Sequence, residues 1–179
     1  VVGGGADANA STWIGKQGTD LQLPYMSAGD FTVDNSGNVF ISMAGWAWTL
    51  RVDAITGIVS HFAGGGDQRL TQNSTVPAEN LLIHTSNGGW IHHLNTPGMA
   101  TDQAGNLFVF DTGKQEHQEN GTPHIPASII KVDTNGTASL VVGGGADANA
   151  STWIGKQGTD LQLPYMSAGD FTVDNSGNV

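Results

Sequence analysis

The chain has 179 residues, 12% of them charged, a net charge of −10 and no cysteine. Disulfides and thiolate metal sites are thereby excluded, and an acidic balance with no basic patch to reverse it argues against nucleic acid and anionic membrane surfaces as partners. The length suffices for one domain with a real core, the 38% hydrophobic content is too high for disorder, and no run approaches the ~18 apolar residues that cross a bilayer.

Val1–Val39 recurs letter for letter at Val141–Val179, an offset of 140 residues. A repeat of this length sets the architecture before any local signal does. The 140-residue unit carries 12 acids and 5 bases, so each further copy adds about −7 of charge. Both ends of the chain fall inside predicted strands, whereas domain boundaries favour exposed linkers. The expectation is a window on a longer repeating polypeptide, continued covalently or by self-association.

In chain order, Val1-Val2 match the end of a later strand, and 1–28 read as that strand's tail plus a polar linker. Short apolar runs then alternate with Gly, Asn and Asp, the all-β pattern. The region 29–66 predicts four strands at Phe31–Val33, Val39–Met43, Trp48–Val52 and Ile58–Phe62. Residues 67–96 read as a long linker without strong secondary structure of its own. The region 97–145 predicts four more strands at Gly98–Thr101, Leu107–Phe110, Ser128–Val132 and Thr137–Val142, with an insertion at 112–127. Residues 146–168 repeat the linker 6–28, and 169–179 open a third set of strands.

Turns of one kind punctuate these strands. Asp34 with Gly37, Asp102 with Gly105, Asp133 with Gly136 and Asp174 with Gly177 are each three residues apart, and Asp53 with Gly57 is a longer version. The carboxylate can accept backbone N–H groups of the turn, and the glycine supplies the positive φ. Asp34, Asp102 and Asp174 are 68 and 72 residues apart, so the unit is two diverged halves of about 70. Val39-Phe40-Ile41 and Leu107-Phe108-Val109-Phe110 are continuously apolar, which implies burial on both faces. A lone four-stranded sheet buries one face, so each sheet is expected to sit between neighbours, as in propeller blades or solenoids. The linkers are expected to lie across the sheets and shield their edges.

The stretches GDFTVDNSGNVFI (Gly29–Ile41) and PGMATDQAGNLFVFDTG (Pro97–Gly113), followed by LRVD and IKVD, resemble the NHL repeat in its bacterial extracellular form. The segment Pro77-Ala78-Glu79-Asn80-Leu81 resembles that family's interblade linker. The resemblance implies four-stranded antiparallel propeller-type blades, two per unit, in an open array or fibre. The family's Asp after the second strand is present as Asp111 and replaced by Met43 in the first half. NHL-type lyases hold a central zinc with His from several blades; the six His residues here show no such set in equivalent positions.

No catalytic, cofactor-binding or metal site is expected. His92 and His93 are adjacent and would face opposite sides of a strand, and Glu116-His117-Gln118-Glu119 is not the H-E-x-x-H pattern. Calcium would want a denser D-x-D-x-D loop. The runs beginning at Gly3, Gly64 and Gly143 lead into polar loops rather than helices, so they read as tight exits from a strand and not as phosphate cradles. Trp13, Trp46, Trp48 and Trp90 could stack on sugars, although such residues more often fill gaps between sheets. Sequons at Asn9, Asn73, Asn120, Asn135 and Asn149 are candidate N-glycosylation sites, four of them in linkers or the insertion. Together these features lead us to expect a structural, non-enzymatic tandem-repeat protein that forms an extracellular or cell-surface fibre carrying glycans. The competing expectation is a closed propeller acting as a ligand- or carbohydrate-binding module or a lyase.

Overall fold

The computed structural model describes residues 2–23, 30–43, 47–84, 98–113, 125–164 and 171–179. It is mostly β, with two antiparallel sheets. The first sheet has the order β1-β2-β3-β4, from Phe31–Val33, Val39–Met43, Trp48–Val52 and Val59–Gly64. The second has the order β5-β9-β8-β7-β6, where β5 is Thr75–Pro77, β6 Met99–Thr101, β7 Leu107–Asp111, β8 Ser128–Val132 and β9 Thr137–Val142.

All eight expected strands form, with small shifts at their ends. The fourth begins at Val59 because the Asp53 carbonyl accepts from the Gly57 amide at 2.9 Å and the Ile58 amide turns to Thr56 Oγ1 at 3.3 Å, so Asp53 and Ile58 make only one of the two bonds of a strand pair. The larger correction concerns the linkers. Residues 67–96 were expected to lack regular structure, yet Thr75–Pro77 adds a fifth strand to β9. Pro77 sits on that outer strand, where the absence of an N–H is tolerated. The linkers also hold three-residue 3-10 turns at Ala10–Thr12, Gly18–Asp20, Ala78–Asn80, Ala150–Thr152 and Gly158–Asp160. Val2 lies outside any strand, and so does the stretch 171–179.

The turn formula holds in detail. The Asp34 carboxylate accepts the amides of Ser36 and Asn38, both at 2.9 Å. Asp133 does the same with Asn135 and Thr137, both at 2.9 Å. Gly37, Gly105 and Gly136 take φ of 84°, 84° and 80°, where an L side chain is strained. The turn at Asp174 forms identically without flanking strands, so its geometry is local.

The strands run through three cores, and alternate residues of one strand enter different ones. Ile41 and Met43 of β2 join a first core with Trp13, Leu21, Leu50, Val52 and Val59. Phe40, just before them and on the other face, enters a core between the two sheets with Leu81, Ile83, Leu107, Val109, Ile130 and Val132. Phe108 and Phe110 of β7 point away from that core into a third, with Ala127 and Ile129, against which Leu163, Phe171 and Val173 pack. The expected burial of both faces is therefore observed, and each continuous apolar run is two alternating sets. A register shift in each sheet, at Thr49/Leu50 and Ile129/Ile130, leaves Phe62 and Val141 unpaired and turns them toward a core.

Candidate assembly site

The linkers carry the site, because they join one sheet to the next and the identical stretch supplies two copies for comparison. Each begins with a glycine run, at Gly3, at Gly64 where β4 ends and at Gly143 just after β9. Gly3 and Gly4 adopt φ of 85° and 87°, which turns the chain back on itself. The third glycine acts through size: a Cβ on Gly5, Gly66 or Gly145 would overlap the backbone of Asp20, Asn80 or Asp160. This close approach permits the parallel bridges Asp7–Leu21, Gln68–Leu81 and Asp147–Leu161. The glycine runs are thus folding devices, as expected. The helical turns they meet are three residues long and offer no anion site.

Inside the first linker, Trp13 donates from its indole nitrogen to the Asp7 carbonyl at 2.9 Å and is 1% exposed. The Asp7 carboxylate accepts from Lys16 at 2.5 Å and from Thr12 at 2.8 Å. The second copy repeats this at Asp147, with Lys156 at 2.6 Å and Thr152 at 2.8 Å. The lysine bond, then the threonine and backbone bonds, hold Asp147 at a pKa of about 2, and Asp7 is lowered by the same partners.

The linker then caps a sheet edge. The Gly15 amide donates to Val59 O at 2.9 Å, the Val59 amide to Lys16 O at 2.8 Å, and the Gly18 amide to Gly57 O at 2.8 Å. Strand β5 caps β9 in the equivalent way, ending with the Ala78 amide on Gly136 O at 2.8 Å. The start of each outer strand, at Gly57–Val59 and Thr137–Ser139, is covered by the linker that precedes the sheet, which is shielding of the kind expected for exposed strands.

The opposite edges are stitched to each other. Asp30 accepts the Met99 amide at 2.8 Å, Thr101 donates to Val33 O at 3.0 Å, and Asn35 donates to Gln103 O at 3.1 Å. The two copies of the repeat differ at the corresponding place. Phe31 and Val33 are 69% and 48% exposed, whereas Phe171 and Val173 are partly covered by the Phe108–Phe110 face. The same residues are bare in one copy and seated on a sheet in the other.

A second polar feature was not legible in advance. Asp111, 6% exposed, accepts the His84 amide at 3.1 Å and the Gly113 amide at 2.9 Å, with His84 Nδ1 3.3 Å from its other oxygen. Thr112 donates to His84 O at 2.9 Å. The cluster clasps the linker at His84 to the end of β7. The asparagine that follows Gly37, Gly105 and Gly177 is a further turn residue that the sequence reading did not single out. Asn38 and Asn106 return a side-chain N–H to Asp34 and Asp102 at 2.8 and 2.7 Å, and the shared Gly-Asn pair was the available signal.

The structure places the sequons as follows. Asn9 and Asn149 cap 3-10 turns, each accepting from the serine hydroxyl two residues on at 2.8 Å, and both are exposed. Asn73 sits in an exposed turn with φ of 65°, and Asn135 in the exposed β8–β9 turn. Asn120, Trp46, Trp90, His92, His93, His117 and His124 lie outside the described residues. Trp13 fills a core and Trp48 packs at its margin, 5.4 Å from the His61 ring. Among the described residues no group of three His, Asp or Glu is arranged to hold a metal, and no helix is long and apolar enough to cross a membrane. No family model and no curated protein matches the sequence.

Proposed function

We propose that the protein is a structural, non-enzymatic tandem array of NHL-like blades, two per unit, extending as an extracellular or cell-surface fibre and bearing glycans on its linkers. The observation that carries this reading is the contrast between Phe31 and Phe171, one residue of the repeat exposed and the other seated. A face that is apolar, exposed in one copy and covered in the next is the mark of a head-to-tail contact, and such contacts propagate unless their rotation closes a ring. Sheets buried on both faces support it further, since each then needs a neighbour on either side. Four exposed sequons outside the three cores leave room for glycans without disturbing the stacking.

Negative-stain imaging of the native material tests the array. Unbranched threads are expected, and discrete closed discs would overturn the reading in favour of a ligand-binding or lyase propeller. Mass spectrometry of peptides spanning Asn9, Asn73 and Asn120 tests the glycans, which are withdrawn if all three are unmodified.

A further inference from the structure

Asn9-Ala10-Ser11 and its second copy, Asn149-Ala150-Ser151, take one shape. In both, the asparagine Oδ1 accepts the serine hydroxyl at 2.8 Å, and it accepts the serine amide at 3.2 and 3.1 Å. These bonds use the oxygen alone, and Nδ2 makes no hydrogen bond among the described residues. We infer that this asparagine is the acceptor of a sugar chain transferred onto the folded protein, and that Asn73 and Asn135 are not. The inference rests on the reading of the protein as glycan-bearing. It names the site and the partner, an enzyme that draws its sugar from a glycosyl phosphate ester.

Transfer forms a bond from Nδ2 to the anomeric carbon and breaks the bond from that carbon to the phosphate oxygen. One Nδ2 proton passes to a base of the enzyme or to the departing phosphate. The sequon rule adds the hydroxyl two residues on, read together with the amide. At Asn9 and Asn149 the two groups already lie side by side, outside any strand, so little ordering is left for binding to supply. A sugar on Nδ2 leaves both bonds of Oδ1 in place, and the turn need not open. At the other two sequons the hydroxyl belongs to a sheet. Thr75 opens β5 opposite Ser139, and Thr137 opens β9 opposite Pro77. The Thr137 amide is also bound to the Asp133 carboxylate at 2.9 Å. Bending these triplets into the shape seen at Asn9 would lift β5 from β9 or break the Asp133 turn. Exposure does not separate the four asparagines, since all are exposed; the attachment of the third residue does. Nor does it depend on a neighbouring unit: Asn9 is exposed with the chain that follows it in place, and Asn149 with the chain that precedes it in place.

The test is the occupancy of each sequon in the native material. Cleavage before aspartate separates residues 147–159, and their identical copy 7–19, from 133–146 with Asn135 and from 67–101 with Asn73. Mass spectrometry of these peptides, with fragmentation that keeps the sugar on its asparagine, reads the occupancy of each. That of 147–159 and 7–19 is expected to exceed that at Asn73 and at Asn135 by about tenfold or more, because a paired strand must open before its threonine can be read. Equal occupancy at all of them, as modification before folding would give, overturns the assignment and leaves the glycans. Sugar at Asn73 or Asn135 with 147–159 bare does the same. Bare peptides throughout overturn the assignment and the glycans together, while threads in the same material would still leave the fibre.

Discussion

Gly66→Ala tests whether the linkers are built on a close backbone approach. Gly66 lies beneath the Asn80 carbonyl, and a methyl there overlaps backbone that cannot rotate away. The loop must open, which strains the bonds from Gly66 N to Leu81 O at 3.1 Å, Gln68 N to Asn80 O at 2.9 Å and Leu82 N to Gln68 O at 2.8 Å. Leu81, 0% exposed in the core between the sheets, moves with them. Withdrawing a buried leucine costs about 2–5 kcal/mol, and each weakened backbone bond adds up to about 1 kcal/mol. The expected loss is about 3–5 kcal/mol, a large part of the ~5–15 kcal/mol that holds a domain folded. It should lower Tm by about 10 °C. Gly4→Ala is the control: its φ of 87° is strained for alanine, but nothing lies within 4 Å of the added carbon. That strain alone costs about 1–2 kcal/mol. Urea unfolding of both variants, with Leu81→Ala and the double variant completing a cycle, reads the difference. Gly66→Ala and Leu81→Ala should be sub-additive by about 1 kcal/mol or more, because both empty the same site. Equal losses for Gly66→Ala and Gly4→Ala would refute the reasoning.

Acid should destabilise the chain in a defined window. Asp7, Asp53, Asp147 and Asp174 are lowered mainly by hydrogen bonds, while at Asp102 burial pushes upward and is outweighed by bonds from Asn106 and Ala104 and by the Lys131 charge. A lowered folded-state pKa gives stability that is present above the unfolded value near 3.9 and lost as pH falls through the folded one. Tm should therefore hold steady from pH 7 to about 4 and fall toward pH 2, and Asp102→Asn should flatten part of that slope. Asp111→Ala should cost about 2–5 kcal/mol, since it strands the His84 and Gly113 amides. Asp111→Asn keeps an acceptor and should lose less, and chemical denaturation of the pair reads the gap.

Much of the fold was legible because its signals are local. The Asp-to-Gly turns specify their own bonds, as Asp174 shows by closing with no strand on either side of it. The alternating burial of Phe40 against Ile41 follows from a run with no polar face. What stayed hidden depends on contacts distant in sequence. Thr75–Pro77 is a three-residue strand with a proline, and only the waiting edge of β9, reached at Thr137–Ser139, makes it one. His84 and Asp111 are 27 residues apart, and neither stands in a motif that announces the other. The candidate site is half visible in the sequence: the repeat marks the linker as a recurring element, but its role as a strand cap emerges only from its bonds to Gly57 and Val59.

The linker's own geometry sets the order in which the chain can fold. Its internal backbone bonds join residues fewer than 20 positions apart, while its hold on the sheet reaches from Gln17 to Thr56, 39 residues away. Short loops close sooner than long ones, so each linker is formed before the last strand of its sheet arrives. The late strand meets a ready-made border in place of open water or another molecule's edge. In a chain whose sheets repeat, where every unfinished edge is a template for the wrong neighbour, that timing favours pairing in sequence over tangling between copies.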